Sequence, residues 1–539
     1  MESKNEVESS VVDDARDRAG KEVEQVIEVR DEPVQDFPSP ARLSLVMVIV
    51  CSASFLCGLD QTIVAVAVPK ITNSFHALGD IAWWTSAYLL TSATLQITYG
   101  RLYTLFSTKN IYILSSALFS IGSLVCATAP NSTALIVGRA IAGCGAAGTM
   151  SGSVLVLAAS CPLEKRPALS GLMFMALGIS AVAGPFVGGA LTDRATWRWC
   201  FGINLPICAV IILGTCVVIK TPLEEKYQRM SWDDKTKQFD LPGTGLLTAC
   251  LVCLVLALQL GGTIYPWSNG RVIALLVAWC VLFLAFLLMQ VFLPSQRSFS
   301  STLVRNRNVS LAALYSGFIS GGMFVVVTYL PLWFQVVKGA SALRSGVMTA
   351  PLIVAFVVMS ALSGAATQGM GYYNPAMFFG VMFAAIGSGL LGTLKPEISS
   401  SKWIGYQCLY GFGAGAGVPP PMLVIQTVLP TDDVPIGVSL VNLSQMLLSS
   451  VVVAIAQSVF VNELEKGVSA AIPGFDTRGL SKSGATELGL LYTPAEVVKV
   501  LPAYSNAIAK TFFIAAALSC GAFMAAMCVQ WKSMKKKQA

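Results

Sequence analysis

Long apolar stretches, broken at short intervals by polar or charged turns, fill the chain from residue 43 to residue 530. A helix rising 1.5 Å per residue needs roughly 20 residues to cross a hydrocarbon layer about 30 Å thick. Fourteen segments meet that length: 43–66, 81–100, 111–129, 133–157, 168–191, 198–219, 241–262, 272–293, 309–332, 346–367, 374–394, 403–427, 436–460 and 509–530. None alternates every second residue as a lipid-facing strand would. Backbone polar groups inside a bilayer have to be satisfied within the segment, so every stretch is predicted to be a helix. The expected fold is all-α and integral to the membrane.

Composition narrows the class further. Of the 539 residues 55% are hydrophobic and 12% are charged, against about 25% charged in soluble domains. A single soluble core stops growing near ~250–300 residues and could not hide that much apolar surface. A secreted disulfide scaffold, a disordered chain and a cytosolic enzyme are excluded. Residues 1–42 hold twelve of the 29 acids against six bases, and such a polar head is expected to be a disordered cytosolic tail. It has neither the basic start nor the apolar centre of a cleaved signal. With the N-terminus inside, inner loops and the C-terminal tail carry sixteen Lys and Arg and short outer loops eight. That bias places both ends in the cytosol. Segment 220–240 then reads as a cytosolic linker, 461–508 as the largest outer loop and 531–539 as a basic cytosolic tail.

The chemistry of the side chains is sparse. Cys250 and Cys253 have CxxC spacing, but their context is LTACLVCLVL, which reads as small packing residues in a helix. His76 is the single histidine, so a histidine-based metal site or triad is not available. Gly143 to Gly148 spells GCGAAG, a formal dinucleotide fingerprint, yet it falls inside a span rather than between a strand and a helix. Glycines so placed, like Gly411, Gly413, Gly415 and Gly417, let helices approach closely. No Walker A lysine motif is present. No cofactor, metal, ATP or nucleic acid is expected, and the chain does not read as an enzyme. Asn131-Ser132-Thr133 fits an N-glycosylation acceptor.

Charge inside a span costs about 2.5–3.5 kcal/mol on insertion scales and faces a partner or a cavity. Asp60 in the first span and Arg139 in the fourth are two such residues. As a buried ion pair they would fix packing alone. As a proton-coupling pair, burial favours the neutral acid and a neighbouring guanidinium the carboxylate, so alternation between those environments drives proton pickup and release. The fifth span carries Gly178, Gly184, Pro185, Gly188 and Gly189 in the pattern G-x5-G-P-x2-G-G. Residues 178, 181, 185 and 188 share a helix face nearly free of side chains, suited to tight packing, with a bend at the proline.

These segments resemble a family. GISAVAGPFVGGAL (Gly178–Leu191) is similar to the antiporter motif of the major facilitator superfamily, and LIVGRAIAGCGAAG to its fourth-helix motif. LDQTIVAVAVP, WRWCFGINLP, YLPLWFQVVKGAS and GYQCLYGFGAG resemble the fungal 14-helix drug:proton antiporter branch. The resemblance implies two six-helix bundles, 43–219 and 309–530, with two additional helices in 241–293. It further implies a cavity between the bundles, lined by candidates Trp84, Tyr88, Gln96 and Asn204 on one side and Gln335, Gln426, Asn442 and Gln445 on the other. Each of these is equally a plausible helix–helix hydrogen bond. The family's cytosolic gate loop, G-x-L-A-D-R-x-G-R-K, is altered: Gly100, Arg101 and Lys109 remain, but Thr104 stands for the acid and Leu105 for the base after it. A faint echo runs from Gly364 to Tyr373. The implied activity is proton-coupled efflux of an amphipathic toxin, metabolite or drug across the plasma membrane, by a monomer. A vacuolar or vesicular membrane, and a proton-coupled importer of an iron chelate or amino acid on the same fold, are the alternatives.

Overall fold

Among the described residues the chain is helical, apart from an isolated bridge between Gly261 and Tyr265. The structure, a computed structural model, describes residues 38–75, 80–219, 231, 241–261, 265–292, 306–472 and 494–535. His76, most of the acidic head, nearly all of the 220–240 linker, residues 473–493 of the expected outer loop and the last four residues lie outside them.

The first half comprises α1 (Pro40–Phe75), α2 (Ile81–Thr94), α3 (Gln96–Leu105), α4 (Thr108–Ala127), α5 (Ser132–Ser160), α6 (Arg166–Arg194), the single turn α7 (Trp199–Gly202) and α8 (Asn204–Val218). A pair follows, α9 (Leu241–Leu260) and α10 (Gly270–Phe292). The second half holds α11 (Arg307–Lys338), α12 (Ala342–Met370), α13 (Asn374–Leu391), α14 (Ser400–Gly417), α15 (Pro420–Val428), α16 (Val434–Ala471) and α17 (Pro494–Cys528). Local chemistry sets several ends. The Asn131 side-chain oxygen accepts the Ala134 N–H at 2.9 Å and so satisfies an orphan donor of α5. Gly339 (φ 62°) and Gly371 (φ 78°) end α11 and α12 in the left-handed conformation that a Cβ disfavours.

Packing follows the small residues. α4 lies against α5 because Gly122 meets Ala142 and Gly145 meets the backbone of Phe119. Gly380 and Gly413 join α13 to α14 in the same manner. In a bilayer, where apolar burial drives little association, such close backbone approach supplies the contact. α1 packs on α6 and α8, and α11 on α16 and α17. The α9–α10 pair seats Leu247, Leu251 and Phe286 on Ile97 of α3 and Leu443 of α16. α10 turns Val277, Val281, Leu284 and Leu288 outward, as a lipid-facing helix would.

Twelve described helices are long and apolar enough to cross a membrane, two fewer than the sequence predicts. Segment 81–100 drops out because the helix breaks at Leu95, leaving pieces of 14 and 10 residues. Segment 241–262 forms the 20-residue helix α9, of which Pro242–Leu258 is the apolar stretch counted among the described residues. The expected outer loop 461–508 is also narrower than read: α16 continues to Ala471 and α17 begins at Pro494. One acid of that stretch is neutralised between the two helices. Glu463 pairs with Lys510 at 2.5 Å and with Lys466 at 3.6 Å, while Leu464 and Val468 are buried.

Candidate functional site

Asp60 and Arg139 come together. Both are fully buried, and Arg139 Nη1 donates to Asp60 Oδ2 at 2.6 Å. Such a pair is stable only if the remaining polar atoms are also satisfied. Asn204 Nδ2 donates to Asp60 Oδ1 at 2.9 Å and lies 3.1 Å from the Ser123 hydroxyl oxygen. Asn204 can reach because α7 and α8 meet at Ile203, which puts it at the first turn of α8. Arg139 Nε donates to the Trp84 carbonyl at 2.8 Å. Its guanidinium stacks 4.4 Å from the Tyr88 ring centroid and 5.9 Å from that of Phe201. Trp84 is fixed in turn: its indole N–H donates to Ser132 Oγ at 3.0 Å, and the Ser132 hydroxyl donates to Asp80 at 2.6 Å. Side chains of α5 and α8 thus meet the carboxylate of α1, supported from α2 and α4. Sequence reasoning found Trp84, Tyr88 and Asn204, but not Ser123 or Ser132, whose residue type carries no signal, nor Asp80, which lies just outside the apolar segment 81–100.

The other candidates divide. Gln96 and Asn442 meet through Ser151, whose hydroxyl donates to Gln96 Oε1 at 2.9 Å and accepts from Asn442 Nδ2 at 3.1 Å. Gln426 Oε1 accepts from Arg166 at 3.4 Å. Gln335 donates to Ser345 and Gln445 to Ser316, both within the second half. Asn131 is exposed as the cap of α5. Lys109 donates to the Cys216 carbonyl at 2.6 Å, inside the first half.

Contacts between the halves gather toward one end of the helices. Gly100 of α3 faces Ser439 and Ile436 of α16, and Gly364 of α12 faces Pro167, Ala168 and Gly171 of α6. The gate-loop glycine and its faint echo thus both lie where one half packs against the other. Thr104, standing where the family has an acid, donates to its own helix at Gly100 O and lies 3.5 Å from the Asp432 carbonyl. Ser360 donates to Gly171 O at 3.2 Å. Toward the opposite end Gly346 of α12 has no atom within 4 Å of a Cβ. The fifth-span glycines do not act as one face: Gly178 meets Phe356 and Val357 of the other half, whereas Gly184 and Gly188 meet Thr62 and Ile63 of α1.

One hydrogen bond across the halves is worth about 1 kcal/mol, a factor of about five in a two-state equilibrium. Asn442→Leu is therefore expected to raise amide hydrogen exchange severalfold in 96–105 and 434–446. Exchange equal to wild type would show that this contact does not hold the closed end.

A buried, hydrogen-bonded ion pair in one of two helical halves that meet toward one end points to a polytopic membrane protein of the transporter type. The Major Facilitator Superfamily profile matches residues 50–454, and the chain belongs to that family. It is 46% identical over 505 residues to the MFS thioclapurine efflux transporter tcpA of Claviceps purpurea, covering 94% of this chain and 93% of the relative. It is 41% identical over 497 residues to the MFS-type efflux pump MFS1 of Arthroderma benhamiae, covering 92% and 93%. Among solved structures, the proton:xylose symporter XylE superimposes with a TM-score of 0.60 at 14% identity, over 92% of this chain and 98% of that one. The human organic anion transporter MFSD10 does so with a TM-score of 0.55 at 15% identity, over 89% and 100%. At these identities the two structures speak for the fold.

Proposed function

We propose that the chain is a proton-coupled exporter of a small amphipathic molecule, with Asp60 as the carboxyl that takes and releases the proton. The buried Asp60–Arg139 pair carries this reading. Protonating Asp60 removes the charge that compensates Arg139 and leaves an unpaired buried cation, a state worth roughly 3–5 kcal/mol less than the pair. The protein relieves that cost by moving to a conformation in which the guanidinium finds water or another acceptor. Proton binding thereby biases the facing equilibrium, as differential affinity requires. Relatives named as efflux transporters at 41–46% identity support export and a small-molecule cargo.

The fuller architecture is part of the proposal: fourteen spans, counting α2 with α3 and α9, both ends in the cytosol, and a monomer in the plasma membrane. Two six-helix bundles, 43–219 and 309–530, flank the α9–α10 pair. On that orientation the end where the halves meet is cytosolic, and the central path opens outward past the part-exposed Gln335 and Gln445, with the buried Tyr88 and Gln96 behind it. The glycines of α6 pack the first bundle, and Arg101 with Lys109 serves the cytosolic loop. Asn131 then faces outside as a glycosylation acceptor.

Reconstituted vesicles test the core claim. An acid interior is expected to drive uptake of cargo from a panel of fungal metabolites and fungicides. Accumulation that persists after the pH difference and voltage are collapsed would refute proton coupling.

A further inference from the structure

Resting on the exporter reading and its orientation, we propose that a file of water between α1, α4 and α8 carries the proton from Asp60 to the cytosolic end. Asp60 is fully buried, so a proton that leaves it needs a polar route through the protein. One seam offers such a route. The buried residues of α8 are Asn204, Cys208, Ile211 and Thr215, spaced three or four apart on one face. That face meets α1 and α4, the long helices on which α8 packs. On α4, Ser116, Ser120 and Ser123 share a face by the same spacing, whereas Tyr112, Ser115 and Phe119 turn to α5. Two contacts pin the register of these antiparallel helices. Ser123 Oγ lies 3.1 Å from Asn204 Nδ2, and Lys109 donates to the Cys216 carbonyl at 2.6 Å. Between the pins Ser120 stands beside Cys208. Two turns from the Ser123–Asn204 contact Ser116 comes level with Ile211, and Thr215 follows one turn on.

The polar atoms of this seam lack protein partners. Hydroxyls inside helices ordinarily donate to their own helix, as those of Thr149, Ser153 and Ser160 do in α5. Ser116 and Thr215 are 2% and 0% exposed, yet their hydroxyl oxygens find no partner among the described residues, and neither does Asn204 Oδ1. Left dry, each such atom destabilises the fold, whereas a buried water satisfies roughly two to four of them. One helical turn of about 5.4 Å matches two hydrogen bonds of about 2.8 Å laid end to end. A polar group stands at every turn from Asn204 to Thr215, so water in single file fits the spacing. Near Thr215, Arg42 Nε donates to the Val218 carbonyl at 2.8 Å and, with Lys109, marks the end of the apolar layer. In the transfer, the O–H bond of the Asp60 carboxyl breaks as one forms on the first water, and each water passes one of its own protons on. One proton leaves at the Thr215 end, and the carboxylate left behind pairs with Arg139. Because α4 and α8 pack on helices of the first half, this route lies apart from the space between the halves.

Vesicles with an acid interior test the route through Ser116→Ala combined with Thr215→Val, which removes both hydroxyls at nearly constant shape. Uptake of cargo driven by the pH difference is expected to slow by at least about fivefold, the worth of one hydrogen bond. Exchange of cargo for cargo is expected to keep its rate, and Thr215→Ser, which retains a hydroxyl, to couple as wild type does. A second measurement needs neither transport nor a variant: hydroxyl-radical footprinting in isotope-labelled water reads which buried side chains touch water. Cys208 is expected to be labelled severalfold faster than Cys126, which is as deeply buried but packed against Gly138 of α5. Uptake by the double variant at the wild-type rate, or Cys208 labelled no faster than Cys126, overturns the water file. Absence of flux for every cargo overturns the exporter reading instead, and the footprint still decides whether water fills the seam.

Discussion

Asp60→Asn in reconstituted vesicles is expected to lose pH-driven accumulation and to keep exchange of cargo for cargo. One proton moving through 100 mV releases about 2.3 kcal/mol, which sustains roughly a fifty-fold cargo gradient at about 1.4 kcal/mol per tenfold ratio. Without a titrating group at residue 60 that ratio falls to about one. Asparagine is nearly isosteric and keeps a carbonyl acceptor for Arg139, so the helices around the site retain their packing. It cannot keep the charge, and the stranded guanidinium destabilises the fold by a few kcal/mol. Asp60→Asn combined with Arg139→Gln removes that burden and separates stability from coupling: the double variant is expected to insert normally and remain uncoupled. A gradient of wild-type size in either variant would take Asp60 out of the mechanism. Asp60→Glu, which restores a titrating acid one methylene longer, is expected to recover part of the gradient.

The ion pair was legible because charge is so rare in the spans. Two charged residues in apolar runs nearly eighty positions apart have few ways to avoid the cost of burial, and pairing is the least expensive. Asn204 was legible for the same reason, as an amide among apolar neighbours. What the sequence hid depends on tertiary geometry. The break at Leu95 has no glycine or proline to announce it. Its carbonyl still accepts the Tyr99 N–H at 3.0 Å, so the interruption is a local tightening rather than a turn motif. The extension of α16 through Glu463 was hidden because the lysine that neutralises it sits 47 residues away, on α17. Ser151 could not be singled out from a helix holding several serines, and it is the register of α3 against α16 that makes it the hinge of the Gln96–Asn442 contact.

The family motif of the fifth span held a similar ambiguity, since one smooth helix face and two separate contacts have the same spacing. In the structure the glycines serve two neighbours, and only one contact lies beside Asp60. Gly178 sits between the halves, whereas Gly184 and Gly188 lie within the first half, against the turn of α1 that carries Asp60. This assigns to Gly184 a role in placing the carboxylate rather than in gating.

Gly184→Val is accordingly expected to lower transport at least tenfold while the protein still inserts and elutes as a single species. A Cβ at Gly184 would overlap Thr62 of α1, 2.7 Å from its Cβ, and would lie 3.2 Å from the Ile63 nitrogen. Thr62 has little freedom to yield, because its hydroxyl already lies within hydrogen-bonding distance of the Gly58, Leu59 and Ser180 carbonyls at 3.0, 3.2 and 3.3 Å. Overpacking of this kind costs typically 1–3 kcal/mol, and the strain is relieved by displacing α1. Asp60 is two residues from Thr62, so a shift of α1 moves the carboxylate relative to Arg139 and Asn204, which are anchored on α5 and α8. The argument makes the alanine variant milder than valine, and it makes Thr62 the point of conflict. Thr62→Ala should therefore restore much of the activity lost in Gly184→Ala, and a double-mutant cycle should show a coupling of about 1 kcal/mol or more between the two positions. Full transport by Gly184→Val, or strict additivity in that cycle, would contradict the account of α6 as the support that fixes α1.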